Sequence, residues 1–194
     1  MCPPTYFEVS YAINAWMDPT VPGDRQRAID QWSELVAAYR AAGASRILAG
    51  YGFRTSLRAH QEIARLTGRP VISLELVDPR YYHLDVALTV LDDRRDHIAY
   101  YPAAFSAASR RRLARLFPDA VIATEQDAYA FGLNGVSDGR HVFLPTGAPG
   151  LTRALHEAGY RPVPVDLSEL IKAGGSVKCC TQEIRPATDG RHLP

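Results

Sequence analysis

Ile98-Ala99-Tyr100, then Ser109-Arg110-Arg111-Arg112-Leu113-Ala114-Arg115-Leu116, a stop at Pro118 and the run Ala120-Val121-Ile122-Ala123 read in order as strand, helix and return strand. The two apolar runs are short and bounded by polar or Pro-containing turns, while the segment between them is a basic amphipathic helix. The same order stands on either side. Upstream, Ile47-Leu48-Ala49 leads into a helix from Leu57 to Leu66, a stop at Gly68 and a run from Val71 to Leu74. Downstream, Val142-Phe143-Leu144 leads into a helix from Leu151 to Ala158, a stop at Gly159 and a run from Val163 to Val165. The leading runs lie 51 residues (98 minus 47) and 44 residues (142 minus 98) apart, within the range of stacked supersecondary units. Further strands are expected at Leu84 to Leu91 and Val177 to Ile184, so each unit is a β-α-β with an added strand. The fold class that follows is α/β.

The N-terminus starts a fourth unit and does not complete it. Tyr6 to Ala12 reads as a strand, and Asp24 caps a helix whose apolar positions Ala28, Ile29, Trp32, Leu35, Val36 and Tyr39 run to a stop at Gly43. A return strand and an added strand should follow, yet only Ser45 separates Ala44 from Arg46 and the next unit. One strand would have to serve two units, and the periodicity predicts a missing piece just after Gly43. No long linker divides the chain. Residues 1–185 are expected as a single domain and 186–194 as a C-terminal tail.

Composition narrows the function. A single domain of 194 residues can bury roughly 70% of its unfolded surface, enough for a self-supporting core. Lys+Arg 22 against Asp+Glu 21 leaves a net charge of +1, so no global field draws nucleic acid or an acidic membrane. No apolar run approaches the ~18 to 20 residues of a membrane span, and Met1-Cys2-Pro3-Pro4 lacks the basic-then-apolar layout of a signal peptide. A cytoplasmic location is expected. Three cysteines, two of them adjacent at Cys179-Cys180, form no disulfide framework and fit a reducing compartment. The histidines lack paired ligand spacing, and no Walker or GxGxxG sequence occurs, so neither a zinc site nor a bound nucleotide is expected. Arg110, Arg111, Arg112 and Arg115 are expected on a solvated helix face.

Three places could carry chemistry. Gly174-Gly175-Ser176-Val177-Lys178-Cys179-Cys180-Thr181 sets two cysteines behind a glycine pair, and glycine permits close backbone approach to a ligand. On a strand, alternation would put Cys179 and Thr181 on one face and Cys180 on the other, so at most one thiol faces a cleft and Cys180 points into packing. Tyr82-His83-Leu84-Asp85 opens the next expected strand, where two-residue spacing would place His83 and Asp85 on the same face. A carboxylate there can orient the imidazole or hold a cation. Gly52-Phe53-Arg54-Thr55 puts Arg54 at a strand-to-helix turn, where its rigid fork could clamp a carboxylate.

Taken together with Met1-Cys2-Pro3-Pro4-Thr5-Tyr6-Phe7 and Tyr11-Ala12-Ile13-Asn14, these segments resemble the guanidine-modifying, or pentein, superfamily, and within it the bacterial dimethylarginine dimethylaminohydrolases. The resemblance covers nearly the whole chain in order. It implies an α/β propeller of ββαβ modules around a substrate channel, here incomplete near residue 44. It also implies Cys179 as nucleophile, His83 as general acid/base, Asp85 as a carboxylate holding the guanidinium, and Arg54 as the clamp for the substrate α-carboxylate. No metal or cofactor is implied. It implies a small-molecule substrate, dimethylarginine first and arginine second, converted to citrulline.

The chain departs from that pattern between Gly43 and Arg46, where the superfamily carries further guanidinium-binding carboxylates. A guanidinium stays charged at any physiological pH, so their loss is expected to cost on the order of 10² to 10⁴ in rate unless Glu75, Asp78 or Asp18 takes their place. The alternative is a non-catalytic remnant serving as a binding or scaffold protein. An open ring would also leave strand edges unpaired, from which self-association is expected.

Overall fold

A computed structural model describes Gln26 and residues 46–181. The expected Tyr6–Ala12 strand, most of the helix from Asp24, the Gly43 junction, Asp18 and the C-terminal tail lie outside the described residues; Gln26 itself is helical and exposed.

The ββαβ unit is formed at two of the three expected places. In one, β3 (Leu88–Asp92) pairs antiparallel with β4 (His97–Tyr100), helix α2 (Ala107–Leu116) crosses over, and β5 (Val121–Ile122) returns parallel to β4, with Ala99 opposite Val121. In the other, β6 (Val136–Ser137) pairs antiparallel with β7 (His141–Pro145), helix α4 (Pro149–Glu157) crosses over, and β8 (Arg161–Val165) runs parallel to β7 in continuous register from His141 opposite Arg161 to Pro145 opposite Val165. Each is a ββαβ module with a three-stranded sheet, in the orders β3-β4-β5 and β6-β7-β8. The third repeat contributes β1 (Ile47–Tyr51), helix α1 (Leu57–Thr67) and β2 (Val71–Glu75), whose sheet has two strands.

The described residues fall into two compact units. The smaller holds 46–48 and Leu57–Ile72; in it Ile47 N donates to Pro70 O at 2.9 Å, and α1 buries His60. The larger holds Ala49–Ser56 and the chain from Ser73 onward, and it contains both complete modules. There Leu76 N donates to Tyr51 O at 2.8 Å, continuing the β1–β2 pairing.

Local chemistry explains the helices. Ser106 caps α2 by accepting from Ser109 N, and Thr124 caps the short helix α3 (Glu125–Tyr129) by accepting from Asp127 N. On α2 the apolar stripe buries Leu113 while Arg110, Arg111, Arg112 and Arg115 stay exposed, as expected of a solvated face. Leu144, Leu151 and Leu155 are buried in the last module, and Leu91, Ile98 and Phe105 in the one before. Burying each such side chain contributes about 1.5–3 kcal/mol relative to leaving it in water.

Two expected strands are absent in their expected form. Leu84–Val86 is a turn of 3₁₀ helix, in which Val86 N and Ala87 N donate back to His83 O and Leu84 O, and β3 begins only at Leu88. The alternation that would have put His83 and Asp85 on one face therefore does not apply. Residues 177–181 form a helical turn, with Cys180 N donating to Ser176 O at 3.1 Å and Thr181 N to Lys178 O at 3.2 Å. At both places the backbone is hydrogen-bonded to one buried side chain, Asn134.

Candidate active site

All four site residues expected from the sequence lie in the larger unit. Arg54 is exposed in the turn after β1. That turn is set by Gly52, which has φ +132 and sits so close to the Leu76 carbonyl that a β-carbon would lie 2.5 Å from its oxygen. No other residue type fits there. The guanidinium carbon of Arg54 stands 5.1 Å from the centroid of the Tyr82 ring, within cation–π range.

His83 is exposed and immediately precedes the 3₁₀ turn, its ring edge-on to Tyr82 with centroids 4.9 Å apart. Arg54 and His83 thus flank one aromatic ring. The Tyr82 hydroxyl donates to Gly174 O at 3.4 Å, which ties that ring to the segment leading to the cysteines.

Asp85 is half-buried and Cys179 exposed, and Asn134 joins their segments. Asn134 Nδ2 donates to Asp85 O at 3.2 Å and to Asp85 Oδ2 at 3.3 Å. Asn134 Oδ1 accepts from Ser176 N at 3.1 Å and from Cys179 N at 3.2 Å. Two amides three residues apart would be separated by roughly 10 Å along a strand, so one oxygen can gather both only from a helical turn. This is the physical reason that the expected strand gives way over 177–181; its remainder, 182–184, lies outside the described residues. It also corrects the expectation for Cys180, which is exposed on the turn rather than packed against the interior.

Asn134 itself was not singled out from the sequence. The available signal was a polar residue inside the apolar stretch Phe131-Gly132-Leu133-Asn134-Gly135-Val136, where burial obliges an amide to find partners on other elements.

The acids named as stand-ins for the missing carboxylates differ in their engagement. Asp78 is taken by the chain's own guanidinium: Arg80 Nη2 lies 2.7 Å from Asp78 Oδ2, and its Nε donates to both oxygens at 3.1 Å. That fork of hydrogen bonds holds the Asp78 carboxyl below its ordinary value, and Arg80 reaches on to Glu125 at 3.1 Å. Glu75, half-buried at the end of β2, makes no side-chain ion pair or hydrogen bond among the described residues. No group of three His, Cys, Asp or Glu side chains that could hold a metal ion occurs among the described residues, and no helix there is long and apolar enough to cross a membrane.

No protein-family model matches the chain. Individual proteins do. The chain is 43% identical over 259 positions to the N(G),N(G)-dimethylarginine dimethylaminohydrolase of Mycobacterium tuberculosis, covering 96% of this chain and 85% of that protein. It is 26% identical to the bifunctional arginine dihydrolase/ornithine cyclodeaminase ArgZ of Synechocystis over 95% of its own length, and spans 37% of that longer protein. The solved N-terminal domain of ArgZ, in a variant covalently bonded to a reaction intermediate, superposes with a TM-score of 0.65 at 26% identity, covering 92% of this chain and 94% of that one.

Two ββαβ modules, a third β-α-β repeat and this likeness define an α/β protein of the pentein, or amidinotransferase-type, class. Within that class the chain belongs to the dimethylarginine dimethylaminohydrolase family. The alignment with the mycobacterial protein runs over 259 positions against 194 residues here, so at least 65 of them (259 minus 194) have no residue of this chain opposite.

Proposed function

We propose that the chain hydrolyses the guanidinium C–N bond of N-methylated arginine, with arginine as second substrate, to give citrulline and the amine. The observation that carries this reading is the convergence of the Asp85 segment and the Cys179 turn on the single side chain of Asn134, in a chain of this family. The identity to a dimethylaminohydrolase favours hydrolysis over a non-catalytic scaffold.

The chemistry runs through the chain's own groups. The Cys179 thiolate attacks the central guanidinium carbon, forming a C–S bond, while Asp85 holds the positive charge and Arg54 the α-carboxylate. Protonated His83 gives its proton to the departing dimethylamine, whose C–N bond breaks to leave a thiouronium on Cys179. Neutral His83 then takes a proton from water, whose oxygen attacks the same carbon, and the C–S bond breaks to return the thiolate and release citrulline. The cationic substrate itself favours the thiolate over the thiol. A free thiol nucleophile belongs in a reducing compartment, and the cytoplasm is the proposed location.

Without the carboxylates expected in the missing segment, turnover should fall below the roughly 1 to 10³ per second common among enzymes. Acid quenching of the chain during reaction with dimethylarginine, followed by peptide mass mapping, tests the mechanism. The expected result is a substrate-derived adduct on the peptide carrying Cys179, lost in Cys179→Ser. An adduct that persists in Cys179→Ser would contradict the assignment.

A further inference from the structure

Asn134 is wholly buried, and both ends of its amide are saturated. The two N–H groups of Nδ2 meet Asp85 O and Asp85 Oδ2, and the two lone pairs of Oδ1 meet the amides of Ser176 and Cys179. Its backbone oxygen accepts a further bond from Lys178 N at 3.0 Å. A neutral amide is suited to this place because it donates to a carboxylate at one end and accepts from backbone N–H groups at the other. A carboxylate would repel Asp85, and a hydroxyl is too short to span both segments.

The chain takes unusual steps to deliver this side chain. Phe131, three residues earlier, adopts φ 59, a left-handed conformation that a bulky residue holds only where its surroundings enforce it. Asn134 N donates back to Phe131 O at 3.0 Å, and the buried Thr89 hydroxyl donates to Leu133 O. Burial alone would require only that the amide find partners. Here all of its partners belong to the segments carrying the proposed nucleophile and the proposed guanidinium carboxylate.

We propose that Asn134 is a positioning residue that holds the Cys179 turn in register with Asp85, so that a guanidinium seated on the carboxylate presents its carbon to the thiolate. The role rests on the hydrolase reading above. Small errors in such a register are costly, because attack demands near-contact geometry of the reacting atoms.

The test uses the full chain and dimethylarginine as probe. Alkylation of Cys179 by iodoacetamide is followed by fragmenting the peptide in the mass spectrometer, which separates Cys179 from the adjacent exposed Cys180, and the dimethylarginine concentration that halves its rate is measured. In Asn134→Ser, which cannot span the two segments, that concentration should rise about tenfold or more, the usual worth of hydrogen bonds to a charged group. Asn134→Asp keeps the shape and the acceptor end, so the test does not depend on the serine variant folding, and it should show a rise of the same order. Leu155→Ala, a core change in α4, lowers the melting midpoint without touching either segment and should keep the native half-protecting concentration. Native values in both Asn134 variants, or an equal rise in Leu155→Ala, would overturn the positioning role alone. Failure of dimethylarginine to protect Cys179 in the unaltered chain would instead overturn the hydrolase reading, and with it the role that rests on it.

Discussion

Gly175 lies against Cys179 so closely that a β-carbon on it would stand 2.8 Å from the cysteine Cβ and 3.3 Å from its Sγ. A methyl group at residue 175 must therefore push the thiol away. Gly175→Ala is expected to cost about 1–3 kcal/mol in stability by overpacking. It should cut citrulline release roughly tenfold or more through displacement of the proposed nucleophile. Thermal melts and a citrulline assay on the same preparation check both; native release from a folded Gly175→Ala chain would show that Cys179 needs no such room.

What the sequence made legible divides along physical lines. The helices and most of the strands of the three repeats were readable because 3.6-residue and short apolar runs report burial on one element at a time. Leu57–Leu66 became Leu57–Thr67, and Val163–Val165 became Arg161–Val165. The 3₁₀ turn at Leu84–Val86, the helical turn at 177–181 and strand β6 were not readable. The first two are bonded to Asn134, some fifty and forty residues away in sequence, and β6 has only two residues, too few to carry a period. The expectation of a missing piece comes from a different source: a repeat makes an absence visible, and the alignment with the mycobacterial protein is longer than this chain, while the junction after Gly43 lies outside the described residues.

Asp78 should prove dispensable for substrate. Because Arg80 already occupies its carboxylate, Asp78→Asn is expected to change citrulline release by no more than about twofold, an exposed pair being worth little beyond its own locality. A loss as deep as that of a site residue would show that Asp78 trades Arg80 for the substrate guanidinium.

Arg54 makes its own distinction between substrates. If it clamps the α-carboxylate, Arg54→Ala should raise KM for dimethylarginine about tenfold or more, the scale of a charge-assisted hydrogen-bond pair. The decarboxylated analogue of the same substrate should be unaffected. Equal losses for both compounds would point to Arg54 acting through Tyr82, over whose ring it lies, rather than through the carboxylate.

A separate pH response belongs to the turn between β6 and β7. The His141 side chain donates through Nδ1 to Asp138 Oδ2 at 2.9 Å, and the backbone amides of His141 and Arg140 donate to Oδ1, which together hold the Asp138 carboxyl down to about 2. The folded value is below the unfolded one, so the ionised carboxylate favours the folded turn above about pH 4, and its contribution fades as pH falls toward 2. Asp138→Asn should accordingly lower the melting midpoint at pH 7, with the gap to the unaltered chain closing between about pH 4 and 2. A gap independent of pH would assign the effect to shape rather than charge.

In the proposed guanidinium hydrolase Cys179 is the nucleophile. Citrulline release from dimethylarginine, measured side by side for the unaltered chain, Cys179→Ser and Cys180→Ser, tests it most directly. Cys180 is an exposed side chain, and its replacement is expected to shift stability by no more than about 0.5 kcal/mol and to leave most of the release intact. Cys179→Ser should abolish release while the chain stays folded. Citrulline formed by Cys179→Ser at the rate of the unaltered chain would contradict the account.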